Sequence, residues 1–224
     1  MRRVRQRYVI PPQIDVSAEI NRQWGQVRKS LDLPKGSEIA IGVGSRGITN
    51  LTEVVRAVVT KLRDAGFKPF VTPAMGSHGG ATGDGQIRVL ASLGVCEKSV
   101  GVPVRATMEV ESLGEVNGIP IFLDRLAHGA AGLVLINRIK PHTDFAGPTQ
   151  SGIIKMMAIG LGNQIGAEHY HRLSVVRNMY EIISTAGKAL IKRTNLLFGV
   201  GLVENQDHQT AVLRMMMPGE LEAL

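Results

Sequence analysis

Residues 37–76 read SEIAIGVGSRGITNLTEVVRAVVTKLRDAGFKPFVTPAMG. The first apolar run, SEIAIGVG, is too short for a stable helix and reads as a strand. Gly42, Gly44 and Gly47 then punctuate a turn. After it, Leu51, Val54, Val55, Val58, Val59 and Leu62 recur at the spacing of one helical face. Thr49 or Asn50 is placed to cap the start of that helix and Gly66 to end it. KPFVTPAMG returns to a strand pattern. Strands alternating with amphipathic helices predict a mostly parallel sheet with helices on both faces.

The same rhythm extends outward. Upstream come basic residues, Pro11-Pro12, an amphipathic stretch around Ile20, Trp24 and Val27, and Pro34-Lys35-Gly36. Residues 1–36 therefore read as a lead-in that packs on the main domain, with Trp24 the anchor of a short helix. Downstream, the pattern predicts a helix from about Thr82 to Leu93. EVESLGEV and IPIFL come next as short strands, in the manner of a hairpin. DRLAHGA reads as a short helix, GLVLIN as a buried strand, residues 174–193 as an amphipathic helix, and NLLFGVGLV and QTAVLRMMM as strands. The expected fold class is α/β, a Rossmann-like layered sheet over residues 37–224.

Composition narrows the function. The chain has 224 residues, 44% hydrophobic and 20% charged, as in an ordinary globular protein. No apolar run reaches the roughly 18 residues of a membrane span, and the basic N-terminus lacks the apolar core of a signal peptide. The single cysteine, Cys96, allows no internal disulfide and suits a reducing cytoplasm, so a cytoplasmic location is expected. The net charge of +7 invites nucleic acid as a partner. However, Arg2, Arg3, Arg5 and Arg7 hold part of that excess, and one Trp, three Tyr and five Phe offer few surfaces for base stacking. A site for a small anion uses a local positive field equally well.

Three loops at the carboxyl ends of strands hold the chemistry. Gly42-Val-Gly44-Ser45-Arg46-Gly47 matches GxGxxG between a strand and a helix, where backbone N–H groups attract a phosphate or carboxylate. The acidic residue that a dinucleotide's ribose needs at the end of the next strand is missing, which argues against NAD. The loop then reads either as an anion site with Arg46 as charge partner or as a tight turn with a solvated arginine. In the second loop, PAMGSHGGAT, small residues surround His78 and leave room for a substrate beside a side chain suited to proton transfer. The third, NRIKPHTDF, carries His142 after Pro141, with Asp144 placed to orient it. Two histidines from two loops at one edge suit an acid and a base on opposite faces of a substrate, as racemisation or epimerisation asks. Beyond them, Lys155 sits inside the apolar run GIIKMMAIGLG, where it either points out of its element or is held for chemistry. His169 and His171, two residues apart, point to different sides of a helix, and one of them is a candidate metal ligand. His128 and His208 read as structural or solvated.

Taken in order, GSRGITN, PAMGSHGGAT, NRIKPHTDF, SGIIKMMAIGLG and GAEHYH resemble the N-terminal half of the lactate racemase family, the nickel-pincer nucleotide-dependent 2-hydroxy acid racemases and epimerases. The resemblance, strongest to a subgroup with PAMGSHGGAT and KPHT signatures, spans most of residues 37–175. It implies that His78 and His142 are the catalytic acid/base pair. Lys155 would anchor the pincer cofactor through a thioamide, and His171 would be the nickel ligand, with His169 as the fallback. Gly44, Ser45 and Arg46 would contact cofactor and substrate. In lactate racemase itself this loop has an aspartate and a threonine before the arginine, and that departure bears on the substrate. The implied chemistry is transient oxidation to a 2-keto acid by hydride transfer to the cofactor, with the hydride returned to either face. The implied partners are a small 2-hydroxy acid, the enzymes that make the cofactor, and a C-terminal domain that closes over the site, since chains of the family are about twice this length. The competing expectation is a non-catalytic anion- or nucleotide-binding α/β domain.

Overall fold

The computed structural model describes residues 9–141 and 150–221. In chain order the elements are α1 (Val16–Lys29), β1 (Glu38–Val43), α2 (Leu51–Asp64), β2 (Lys68–Pro73), α3 (Gly83–Ser92), α4 (Glu97–Val100), β3 (Val110–Val116) and β4 (Ile119–Asp124). They continue with α5 (Arg125–Gly129), β5 (Gly132–Arg138), α6 (Ile153–Lys155), α7 (Asn163–Leu173), α8 (Met179–Arg193), β6 (Leu196–Glu204), β7 (Thr210–Met216) and α9 (Pro218–Leu221). Among the described residues one five-stranded sheet runs in the order β2-β1-β5-β6-β7, and β3-β4 form a separate pair. The first four strands of the sheet are mutually parallel, and β7 closes one edge antiparallel to β6.

Alternation along each strand divides the core in two. Ile39, Ile41 and Val43 of β1 face one layer with Val54, Val55, Val58 and Leu62 of α2 and Ile20 of α1. Ala40, together with Leu133 and Leu135 of β5, faces the other layer, built from α6, α7, α8 and the β3-β4 pair. Both faces are thus covered, which is why β1 and β5 are apolar at every interior position. Trp24 packs edge-on against Phe198 of β6, ring centroids 6.2 Å apart, and so ties α1 to the sheet.

Local chemistry explains most element ends. Thr82 caps α3, its hydroxyl accepting from the Gly85 N–H at 3.1 Å. Asp124 caps α5 by accepting from the Ala127 N–H at 3.0 Å. Asn117 and Gly118, with φ of +52° and +73°, form the two-residue turn that joins β3 to β4. Two expectations need correction. Asn50 occupies the cap position of α2 without a side-chain capping bond, because its Nδ2 donates instead to Glu53 Oε2 at 2.9 Å. The helix expected over 174–193 begins only at Met179, where Asn178 accepts from the Tyr180 N–H at 2.8 Å.

Strand order also creates the site. From β1 the chain crosses one face through α2 to reach β2, and from β5 it crosses the other face through α8 to reach β6. The connections therefore diverge between β1 and β5, and a crevice opens there at the carboxyl edge of the sheet.

Candidate functional site

A cavity of about 620 Å³ occupies that crevice, within the usual range for small-molecule sites. The β1–α2 loop lines it with Gly44, Ser45 and Arg46, and the loop after β2 with His78. Asn137, Arg138 and Lys140 come from the end of β5, Lys155 from α6, and His171 from α7. The cavity thus gathers Gly44, Ser45, Arg46, His78, Lys155 and His171, all of the first-choice site residues within the described part of the chain. His142 and Asp144 lie outside the described residues. The fallback ligand His169 is directed elsewhere: its Nδ1 bonds the Ile165 carbonyl oxygen at 2.8 Å and its ring packs 5.2 Å from that of Phe122.

Close backbone approach holds the second loop against α3. Gly79, at φ +69°, lies so near the start of α3 that a Cβ there would meet the Gln86 nitrogen at 2.6 Å. Gln86, fully buried, donates from Nε2 to the Gly76 carbonyl oxygen at 2.8 Å. His78 is thereby presented to the first loop, and its Nδ1 shares a 2.6 Å hydrogen bond with Ser45 Oγ. Partial burial, reinforced by the Arg46 guanidinium, holds His78 below the ordinary histidine value of 6.5. A neutral imidazole with Nδ1 engaged leaves Nε2 for a ligand.

Lys155 ends a single helical turn whose Ile153 and Ile154 are buried. It is half-buried and borders the cavity, which resolves the cost of placing a lysine among apolar residues. Directly after it, Met156–Gly160 form a π-helical turn in which the Leu161 N–H donates to the Met156 carbonyl oxygen at 3.0 Å. Gly160 is required there, because a Cβ would meet the Ala74 carbonyl oxygen at 2.6 Å. The turn leads into α7, which carries His171.

Sequence reasoning missed a partly buried ion pair that reaches back from this lining. Glu204, at the end of β6, accepts from Arg138 Nη2 at 2.8 Å through Oε2, and from the Thr49 N–H at 2.7 Å through Oε1. An acidic residue ending an otherwise apolar strand was the available signal. Thr49 is held a second time by its hydroxyl bond to the His208 carbonyl oxygen, so the β6–β7 turn clamps the loop that carries Ser45 and Arg46.

The lining includes four cationic side chains (Arg46, Arg138, Lys140 and Lys155) and two histidines, and no carboxylate among the described residues. No three His, Cys, Asp or Glu side chains among the described residues cluster as a metal cage. One imidazole and one lysine amine suit a metal that arrives with most of its ligands already supplied by an organic group, and the cations suit that group's phosphate. In donor chemistry, the residues present would suit such a group. A second cavity of about 360 Å³, near the start of β1, is lined by Glu38, Phe70, Arg105 and Arg125 and holds none of the candidate residues. No helix among the described residues is long and apolar enough to cross a membrane.

No protein-family model and no curated protein sequence matches this chain. Among solved structures it is similar to the lactate racemase apoprotein from Thermoanaerobacterium thermosaccharolyticum, with a TM-score of 0.65 at 17% sequence identity. The match covers 94% of this chain and 54% of that one, so the chain spans about half the length of the structure it matches. At that identity the likeness establishes the fold, an α/β architecture on a mostly parallel sheet.

Proposed function

We propose that this chain is the cofactor-binding half of a 2-hydroxy acid racemase or epimerase that uses a nickel-pincer nucleotide. The observation that carries the reading is that one cavity is lined together by Ser45, Arg46, His78, Lys155 and His171, contributed by four separate segments. When bound, the cofactor supplies a reversible acceptor for the substrate's carbon-bound hydrogen. Lys155 holds it covalently, and His171 supplies an imidazole to its metal. Arg46 takes the substrate carboxylate. His78, neutral because its titration is depressed, accepts the hydroxyl proton at Nε2 while Nδ1–H donates to Ser45. His142 serves the opposite enantiomer in this reading.

The test is mass spectrometry of the chain co-expressed with enzymes that make the cofactor. An adduct should map to Lys155 and vanish in Lys155→Ala, and bound nickel should fall in His171→Ala. Wild type without an adduct, indistinguishable from Lys155→Ala, refutes the reading. A second reading, a non-catalytic anion- or nucleotide-binding domain, is favoured by the acid-free cationic lining. It requires phosphate or nucleotide binding that survives both His78→Ala and His142→Ala.

A further inference from the structure

We propose that Arg138 is a fixed anchor for an oxyanion in the cavity and that Glu204 is the residue that positions it. The ligand class is a small molecule carrying a carboxylate or a phosphoryl group. The inference stands apart from nickel chemistry, since it concerns only how the cavity holds an anion.

Arg138 is the last residue of β5, at the point where the crossovers diverge. Its backbone is set by Asn137, whose Oδ1 accepts from the Arg138 N–H at 2.8 Å and whose Nδ2 donates to the Gly152 carbonyl oxygen at 2.9 Å. The Arg138 side chain is 25% exposed and borders the cavity, whereas the Glu204 side chain is 2% exposed and does not. Of the guanidinium's donors, Nη2 is engaged by Glu204, while Nε is buried and has no partner. The quarter of the Arg138 side chain that remains exposed borders the cavity, whose described lining carries no carboxylate, and guanidinium groups bind carboxylate and phosphate through paired N–H donors. Glu204 partly cancels the charge of Arg138. Its contribution is therefore geometric: with Oε1 fixed by the Thr49 N–H, the carboxylate seats the guanidinium in one orientation before the ligand arrives.

Charge and geometry predict opposite signs for one substitution. Glu204→Gln removes a negative charge beside a cationic cavity, so a simple field tightens anion binding. Loss of the seat weakens it. Titration calorimetry at low ionic strength on the full chain, with inorganic phosphate and with lactate as separate probes, reads the difference. Arg138→Gln should weaken at least one probe about tenfold or more, and Arg138→Lys, which keeps the charge and loses the fork, should not restore it. Loss for phosphate assigns the anchor to a nucleotide, and loss for lactate assigns it to a substrate carboxylate. Glu204→Gln should weaken the same probe about three- to tenfold. Unchanged binding of both probes by Arg138→Gln, or full affinity in Arg138→Lys, overturns the anchor. Tighter binding by Glu204→Gln overturns the positioning role. A Lys155 adduct is unaffected by any of these outcomes, so this inference and the racemase reading fail separately.

Discussion

Replacing Gly85 by alanine should damage both the fold and the environment of His78. Gly85 lies in the first turn of α3, where alanine is ordinarily the better helix former by about 1 kcal/mol. Here a Cβ would overlap the Gly79 carbonyl oxygen and stand 2.7 Å from both the Gly79 carbonyl carbon and Thr82 Oγ1. Ordinary contact needs about 3.5 Å, and the Gly79 carbonyl oxygen would stand at 1.7 Å, so the loop must retreat by roughly 1.8 Å, and the obstacle is backbone rather than a flexible side chain. Overpacking of this kind costs about 1–3 kcal/mol. Because the obstacle is backbone, the upper end of that range applies; less the helix gain it leaves a net loss of about 2 kcal/mol, which lowers Tm by roughly 4–8 °C in a chain of this size. A retreat of that size in the loop that carries His78 should break its 2.6 Å bond with Ser45. The imidazole resonances should shift accordingly, and His78 should titrate closer to its ordinary value. Gly80→Ala is the control. It has φ of +68° but open space around the added methyl, so it should cost only the strain of about 1–2 kcal/mol and leave the Ser45–His78 bond in place. Thermal melts and histidine NMR titrations decide the matter. Gly85→Ala with wild-type Tm and an unchanged His78 titration would refute the close-approach argument.

Two further expectations concern charge. The depressed titration of His78 means that its neutral form stabilises the fold above about pH 6.5 and that this contribution is lost as pH falls through the folded value. Arg46→Gln should raise that value without fully restoring it, because burial is the larger cause; an NMR titration in which it does not rise removes Arg46 as a cause. Asp124 carries the opposite sign. Burial raises its carboxyl against opposing hydrogen bonds from Asn163 and Ala127, so its contribution is fully present below the ordinary 3.8 and is lost as pH rises through the folded value. Asp124→Asn should flatten the dependence of Tm on pH above the ordinary 3.8, and an unaltered slope would count against this account.

How much was legible in the sequence depended on whether a feature is local. Val54, Val55, Val58, Val59 and Leu62 announce α2 by their own spacing, and the glycines around residue 44 and His78 announce loops because glycine serves turns and close approach directly. Lys155 could be picked out because a charge inside an apolar run is expensive anywhere. The Ser45–His78 bond and the Arg138–Glu204 pair depend instead on the strand order β2-β1-β5-β6, which places loops 33 and 66 residues apart in contact, and no local pattern encodes that order. The late start of α8 had a different cause. Apolar residues continue the helical pattern upstream of Asn178, but Val175 and Val176 are 84% and 79% exposed, so those residues satisfy the period without burying a face.

The π-helical turn at Met156–Gly160 has a consequence for how the site is indexed. Each residue of a regular helix turns the chain by about 100°, and a π turn lodges one surplus residue between the helical segments on its two sides. Lys155 stands just before that surplus and His171 well after it, and both border one cavity. The bearing of the amine relative to the imidazole is therefore stored as a whole number, the count of residues between them. Deleting Ala158 alone would leave every candidate side chain chemically intact and remove that surplus, changing the register of Lys155 against α7. The segment is thus constrained twice, in residue type at Gly160 and in length by the surplus residue.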